Sequence, residues 1–164
     1  MLTFVDANVL VYSQDPTDPV KKARAEEWLE MLWQRRTGRT SVQVLSEFYA
    51  VAAHKLRVPA DHAWDDAARY LAWAPQPIDQ ALLRRGREIE RRYQTSWWDS
   101  LIVAAAQLQS CVILLTEDLQ EGMTFGTLAV RSPFSSVLEE PPAGYQVARA
   151  RPLHRPRGRP RRVA

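Results

Sequence analysis

Four carboxylates stand where they could act together on a cation: Asp6, Glu47, Asp99 and Asp118. Asp6 directly follows the apolar run Leu2-Thr3-Phe4-Val5. Asp118 follows Cys111-Val112-Ile113-Leu114-Leu115 after a turn that begins at Thr116. Asp99 comes after the pair Trp97-Trp98 and opens an Ala-rich apolar segment. Glu47 shares a helical segment with Val44, Leu45, Phe48 and Val51, which turns its carboxylate inward at the sheet edge. Gathered out of water, four such groups repel one another and are costly to desolvate unless neutralised. Apart from Lys55, no lysine lies near any of them in the chain. A hard divalent cation bound through oxygen, Mg²⁺ or Mn²⁺, is the natural neutraliser. Asn8 offers a neutral oxygen two residues after Asp6, and Ser41 and Thr116 offer hydroxyls able to orient a carboxylate or a water.

Each residue also has an ordinary reading. Asp6 could cap a turn, Glu47 could be a solvated helix residue, Asp99 could be an N-cap, and Asp118 could start a turn. Joint action therefore depends on the elements that carry the four. Residues 2–5 and 111–115 read as short buried strands, with others near 39–42 and 128–130 and a single strand residue at Ile78. Helices are expected over 19–37, 43–56, 60–73, from Asp79 to Tyr93, and over 98–109. Asp18 and Asp79 serve as N-caps, Pro19 stands at the first helical position, and Gly38 ends the first helix. Short apolar strands alternating with helices predict an α/β fold: three layers, α/β/α, around a short, mostly parallel sheet. In such sheets the ligand crevice lies beyond the carboxyl ends of the strands, where Asp6 and Asp118 fall.

The 164 residues suffice for one domain with a sizeable core. Cys111 is the sole cysteine, which excludes a disulfide scaffold. His54, His62, Cys111 and His154 are too scattered for a zinc site. No membrane-length apolar run and no signal-peptide pattern occur, so a cytoplasmic setting is the expectation. The net charge of +3 conceals an asymmetry. Residues 1–140 hold all 19 acids and 15 of the 22 bases, whereas 141–164 hold seven arginines and no acid. The reading is a folded unit over 1–142 and a basic, Pro/Arg-rich tail over 143–164, expected to be disordered.

The segments around the four acids resemble, in order, the motifs of PIN-domain nucleases, especially VapC-type toxins of bacterial toxin–antitoxin pairs. Phe4-Val5-Asp6-Ala7-Asn8-Val9-Leu10 resembles the opening Asp-x-Asn motif. Thr40-Ser41 through Glu47-Phe48-Tyr49 resembles the glutamate segment, Trp98-Asp99-Ser100 through Ala105 the third acidic motif, and Leu114-Leu115-Thr116-Glu117-Asp118 the fourth. Ser132-Pro133-Phe134 resembles the usual end of the domain. The resemblance implies a metal-dependent endoribonuclease. Asp6, Glu47, Asp99 and Asp118 would bind one or two Mg²⁺ or Mn²⁺ ions, with Asn8, Ser41 and Thr116 in support. Metal-activated water would hydrolyse an RNA phosphodiester to a 5′-phosphate and a 3′-hydroxyl. A homodimer and a cognate antitoxin protein are the implied partners. No protein nucleophile is required, in keeping with the lack of a Gly-x-Ser-x-Gly elbow and of any histidine near the acids.

Two other classes compete. A phosphatase-like or receiver-like doubly wound domain also places an aspartate after an early strand. It further requires a late lysine, and none follows Lys55; the phosphatase type also requires an aspartate where Asn8 stands. A catalytically inactive PIN-like RNA-binding module is the second. The glycines form neither a dinucleotide fingerprint nor a P-loop. Of the adjacent tryptophans, Trp98 is expected inside and Trp97 is left open, either being able to stack a base. Trp28, Trp33, Trp64 and Trp73 are expected to bury against the sheet or a partner. The arginine runs at 84–87 and 91–92 read as a solvated helix face. In the tail, Arg157-Gly158-Arg159-Pro160 resembles an AT-hook core, with nonspecific polyanion binding as the simpler reading.

Overall fold

A computed structural model describes residues 1–135. The tail assigned to 143–164, its AT-hook-like motif and the boundary at 142 lie outside the described residues. Five strands form one sheet: β1 (Thr3–Val5), β2 (Gly38–Arg39), β3 (Ile113–Leu115), β4 (Thr124–Phe125) and β5 (Leu128–Arg131). Their order is β2-β1-β3-β5-β4. The first three pairings in that order are parallel, and the edge strand β4 returns antiparallel to β5. Among the described residues, six α-helices flank the sheet: α1 (Ala7–Gln14), α2 (Pro19–Arg35), α3 (Val42–His54), α4 (Ala60–Arg69), α5 (Gln80–Tyr93) and α6 (Trp97–Leu108). The three-layer, mostly parallel α/β architecture is the one expected from the sequence. No helix among the described residues is long and apolar enough to cross a membrane.

The two central strands, β1 and β3, are buried along their whole length because helices cover both faces, so they read as near-continuous apolar runs. Phe4, Val5, Leu114 and Leu115 join Leu10, Phe48, Leu82, Phe125 and Leu128 in one core. Helix starts follow capping chemistry. Asp18 Oδ1 accepts from the Lys21 N–H at 3.0 Å, with Pro19 at the first turn, and Asp79 Oδ1 accepts from the Leu82 N–H at 2.8 Å.

Several expectations are corrected. The segment after Asp6, assigned to no element from the sequence, is helical: α1 is started by the Asp6 side chain, which accepts from the Ala7 N–H. Its Val-Leu-Val-Tyr content has no strong helical propensity, so tertiary context decides. Gly38 does not end α2; Arg36 does, in the left-handed conformation at φ 54°. Gly38 lies in β2 under the Trp73 indole, where a Cβ would come within 2.5 Å of the ring. The second strand is Gly38–Arg39, and Val42 already belongs to α3. The helix begun at Ala60 tightens to a 3₁₀ turn over Tyr70–Trp73. Ile78 is exposed and in no strand; Gln76 instead bridges to Ser41. Trp98 is not inside: it is 67% exposed, and it is Trp97 that packs on the core. Trp97 sits one turn before Leu101 on the side of α6 that meets Gly86 of α5, and Trp98 points off that side. Trp28 and Trp73 are buried, Trp33 packs on the core, and Trp64 is exposed.

Candidate functional site

The parallel register pairs Val5 with Leu115, so the next residues, Asp6 and Thr116, leave the sheet side by side at its carboxyl end. The Asp6 N–H donates to the Leu115 carbonyl at 3.1 Å, and the Thr116 N–H to the Arg131 carbonyl at 3.0 Å. Backbone pairing thus fixes both before any side chain is placed.

A hydrogen-bond network then joins four residues. Thr116 Oγ1 donates to Asp6 Oδ2 at 2.7 Å and accepts from the Asp118 N–H at 3.1 Å. Asn8 Nδ2 donates to Thr116 Oγ1 and to Asp118 Oδ2, both at 3.1 Å. Asp6 Oδ1 accepts from the Ala7 N–H at 2.7 Å. Asp6 therefore both caps α1 and faces the carboxyl end of the sheet.

Asp6 is buried, Thr116 fully so, and Asp118 is exposed. Burial raises the Asp6 carboxyl from its ordinary 3.8 to about 6, against the lowering effect of the Thr116 hydroxyl and the Ala7 N–H; the charges of Asp118 and Glu47 push it further up. A carboxyl in this state has its negative charge under-compensated. Asn8 Oδ1 is buried with no hydrogen-bond partner. Both observations fit a cation at this spot: an orphaned neutral oxygen, and a buried carboxylate beside an exposed one. Mg²⁺ keeps several waters and needs only one or two protein carboxylates, so the donor set is of the right kind.

The remaining candidates are placed differently. Glu47 is exposed on α3, whose buried positions are Val44, Leu45, Phe48 and Ala52, rather than turned inward. Its charge still reaches Asp6. Asp99 is half-buried near the start of α6 and bound to that helix's own cap: Ser96 Oγ donates to Asp99 Oδ2 at 2.6 Å, and the Asp99 N–H donates back to Ser96 Oγ at 3.1 Å. Asp99 is not among the charges that shift Asp6. Ser41 is buried and caps α3, accepting from the Val44 N–H at 3.2 Å. The structure therefore joins Asp6, Asn8, Thr116 and Asp118 directly and sets Glu47 within electrostatic range. Of the four acids only Asp6 is buried. Among the described residues, no group of three or more His, Cys, Asp or Glu side chains is arranged to hold a metal ion.

One participant has no sequence signal. Lys21, in the first turn of α2, pairs with Glu117, which stands between Thr116 and Asp118. The two are 96 residues apart.

A family model described as "PIN domain" matches residues 3–120. A comparison with curated proteins finds no match. Among solved structures, the chain is similar to VapBC2 from Rickettsia felis bound to a DNA fragment from their promoter, with 18% identity, a TM-score of 0.59, and coverage of 80% of this chain and 98% of that one. It is also similar to VapC20 of Mycobacterium tuberculosis, a sarcin–ricin loop cleaving toxin, with 19% identity, a TM-score of 0.53, and coverage of 68% and 86%. At these identities the likeness concerns the fold.

Proposed function

The chain belongs to the PIN-domain family, and from that premise we propose that it is a Mg²⁺- or Mn²⁺-dependent endoribonuclease acting as the toxin of a toxin–antitoxin pair. The observation that carries this reading is the buried Asp6 carboxyl, raised to about 6 and tied through Thr116 and Asn8 to Asp118. Such a pair asks for positive charge and offers oxygen ligands at the sheet end where substrates bind. A bound divalent cation would supply a water acidified to near-neutral pKa and a counter-charge for the phosphate. In this reading Thr116 holds Asp6 Oδ2, and Asn8 holds Asp118 Oδ2. Glu47 and Asp99 complete the acidic surround, and Ser41 fixes the helix that carries Glu47. An RNA substrate and a cognate antitoxin are supported by the similar structures, one a toxin that cleaves the sarcin–ricin loop and the other a VapBC2 structure. A homodimer, a cytoplasmic setting and nucleic-acid binding by the tail belong to the same proposal.

The test is cleavage of labelled RNA with Mg²⁺, with EDTA, and by Asp6→Asn and Asp99→Asn variants. Cutting by the wild type, abolished by EDTA and by either substitution, is expected. Cutting that survives both EDTA and Asp99→Asn overturns the mechanism. A second reading, a catalytically inactive PIN-like RNA-binding module, is favoured by the attachment of Asp99 to Ser96. Tight RNA binding with no cutting at any Mg²⁺ or Mn²⁺ concentration would select it.

A further inference from the structure

Four separate stretches of chain meet at one ammonium group. Lys21 Nζ pairs with the Glu117 carboxylate, donates to the Tyr12 hydroxyl at 3.1 Å, and lies 4.5 Å from the centroid of the Tyr12 ring and 4.8 Å from that of Phe134. Tyr12 and Phe134 meet edge to face at 5.0 Å. Phe134 is held in turn: its N–H donates to Ser132 Oγ at 3.2 Å, and the preceding Pro133 carbonyl accepts from Trp28 Nε1 at 3.2 Å. The anchor of the ammonium is thus built from α1, α2 and the segment after β5. Its one contact with the loop after β3 is Glu117, flanked by Thr116 and Asp118, both in the Asp6 network.

We propose that Lys21 is a positioning residue: through Glu117 it holds the Thr116–Asp118 segment so that the Asp118 carboxylate keeps its place beside Asp6 and Asn8. A half-exposed ion pair contributes little to stability by itself. Two aromatic rings and a hydroxyl restrict this ammonium, so the pair acts on where Glu117 sits. Partners that orient a ligating group typically matter about 10–100-fold for metal affinity. The inference rests on the reading of Asp6 and Asp118 as a cation site.

Geometry and charge predict opposite signs. Were Lys21 merely a positive charge near the acids, its removal would tighten cation binding, because a competitor is lost. If it positions Asp118, removal weakens binding. The experiment uses Lys21→Met, which keeps the length of the stem, with Glu117→Gln and the double variant, on the full chain. Hydrogen exchange of the Asp118 amide, which donates to Thr116 Oγ1, is followed in metal-free protein, and Mn²⁺ affinity by the resonance of the free ion. Expected are faster exchange confined to residues 116–119, Mn²⁺ affinity lowered about 10-fold by Lys21→Met, and a double variant no weaker than the single ones. Unchanged exchange, or Mn²⁺ binding that is unchanged or tighter in Lys21→Met, overturns the proposal. If Lys21→Met does not fold, Glu117→Gln, altered on an exposed loop residue, carries the exchange measurement. Failure of the wild type to bind Mn²⁺ would sink the cation reading instead, and the exchange data alone would then decide whether Lys21 holds the segment.

Discussion

The Thr116 hydroxyl donates to Asp6 Oδ2 at 2.7 Å across 110 residues of chain. It also accepts from Asn8 Nδ2 and from the Asp118 N–H, so one hydroxyl joins three of the residues at the carboxyl end of the sheet. Thr116→Val keeps the shape and removes all three bonds. Leaving buried polar partners unsatisfied costs about 1–3 kcal/mol. The Asp6 carboxyl also loses a group that lowers it, so it should titrate above about 6. Denaturant unfolding and carboxyl-carbon NMR titration check both; a Thr116→Val protein as stable as wild type with an unmoved Asp6 would contradict this account of the network.

Asp6 also sets a pH dependence of definite sign. Its carboxyl is raised in the folded protein from 3.8 to about 6. The folded state therefore binds more protons than the unfolded state across that window. The stability linked to Asp6 is complete below about pH 4 and is lost as pH rises through about 6. A shift of this size corresponds to roughly 3 kcal/mol by linkage, as an order of magnitude. Asp6→Asn should flatten the loss between pH 4 and 7 in metal-free protein. Cation binding runs the other way, since it needs the ionised carboxylate, so thermal stabilisation by Mn²⁺ should be larger at pH 8 than at pH 5. Stabilisation by Mn²⁺ that is equal at the two pH values would dissociate Asp6 from the cation.

The two halves of the site differ in how legible they are. Asp6 and Asp118 meet because each comes after a short apolar strand, and parallel pairing of two such strands brings the residues beyond them to one end of the sheet; pattern alone carries that far. The caps at Asp18 and Asp79 are equally local and equally readable. The inward turn of Glu47 is not, because the apolar residues Val44, Leu45, Phe48 and Val51 do not fix the rotation of α3 to within one position. The buried set is Val44, Leu45, Phe48 and Ala52, and Glu47 falls outside it. Helix α1 is hidden for a different reason: its start depends on Asp6 accepting from the Ala7 N–H, while its Val-Leu-Val content leaves the local preference weak. Lys21 is invisible altogether, since its partner Glu117 is 96 residues away.

Gly38 is a test of packing rather than chemistry. A Cβ there would lie 2.5 Å from ring carbons of Trp73. That ring is boxed in by Trp33 and Tyr70, each with its centroid 5.0 Å away, and cannot simply withdraw. Gly38→Ala should cost about 1–3 kcal/mol, the usual range for overpacking. Gly122→Ala, where a Cβ would meet nothing within 4 Å but φ is +83°, should cost through backbone strain alone. Chemical denaturation of the two variants, together with the NMR resonance of the Trp73 indole N–H, separates the causes: only Gly38→Ala should shift it strongly.

The tryptophan pair yields an asymmetric result. Trp98 is 67% exposed, so Trp98→Ala should change stability by no more than about 0.5 kcal/mol. Trp97 is half-buried and packs on the core beside Gly86, and Trp97→Ala should cost about 1–3 kcal/mol. Unfolding curves of the two variants check this, and equal or reversed costs would contradict the packing of Trp97 between α6 and α5.

The tail brings a prediction that depends on charge alone. Residues 149–164 contain all seven arginines of the 141–164 segment and no acid, against an excess of acids over bases in 1–140. If RNA is the substrate, those arginines add phosphate contacts. Each neutralised phosphate of a single strand steepens the fall of log affinity with log salt by about 0.7. Deleting 149–164 should lower affinity at low salt and flatten the slope, by up to about 5 if every arginine engages. The cleavage rate at saturating RNA should stay near that of the full chain, because Asp6, Asn8, Thr116 and Asp118 are untouched. Titrations of labelled RNA at several salt concentrations, with the full chain and with 1–148, give the slope directly. An identical slope for both would show that the tail makes no contact with the polyanion.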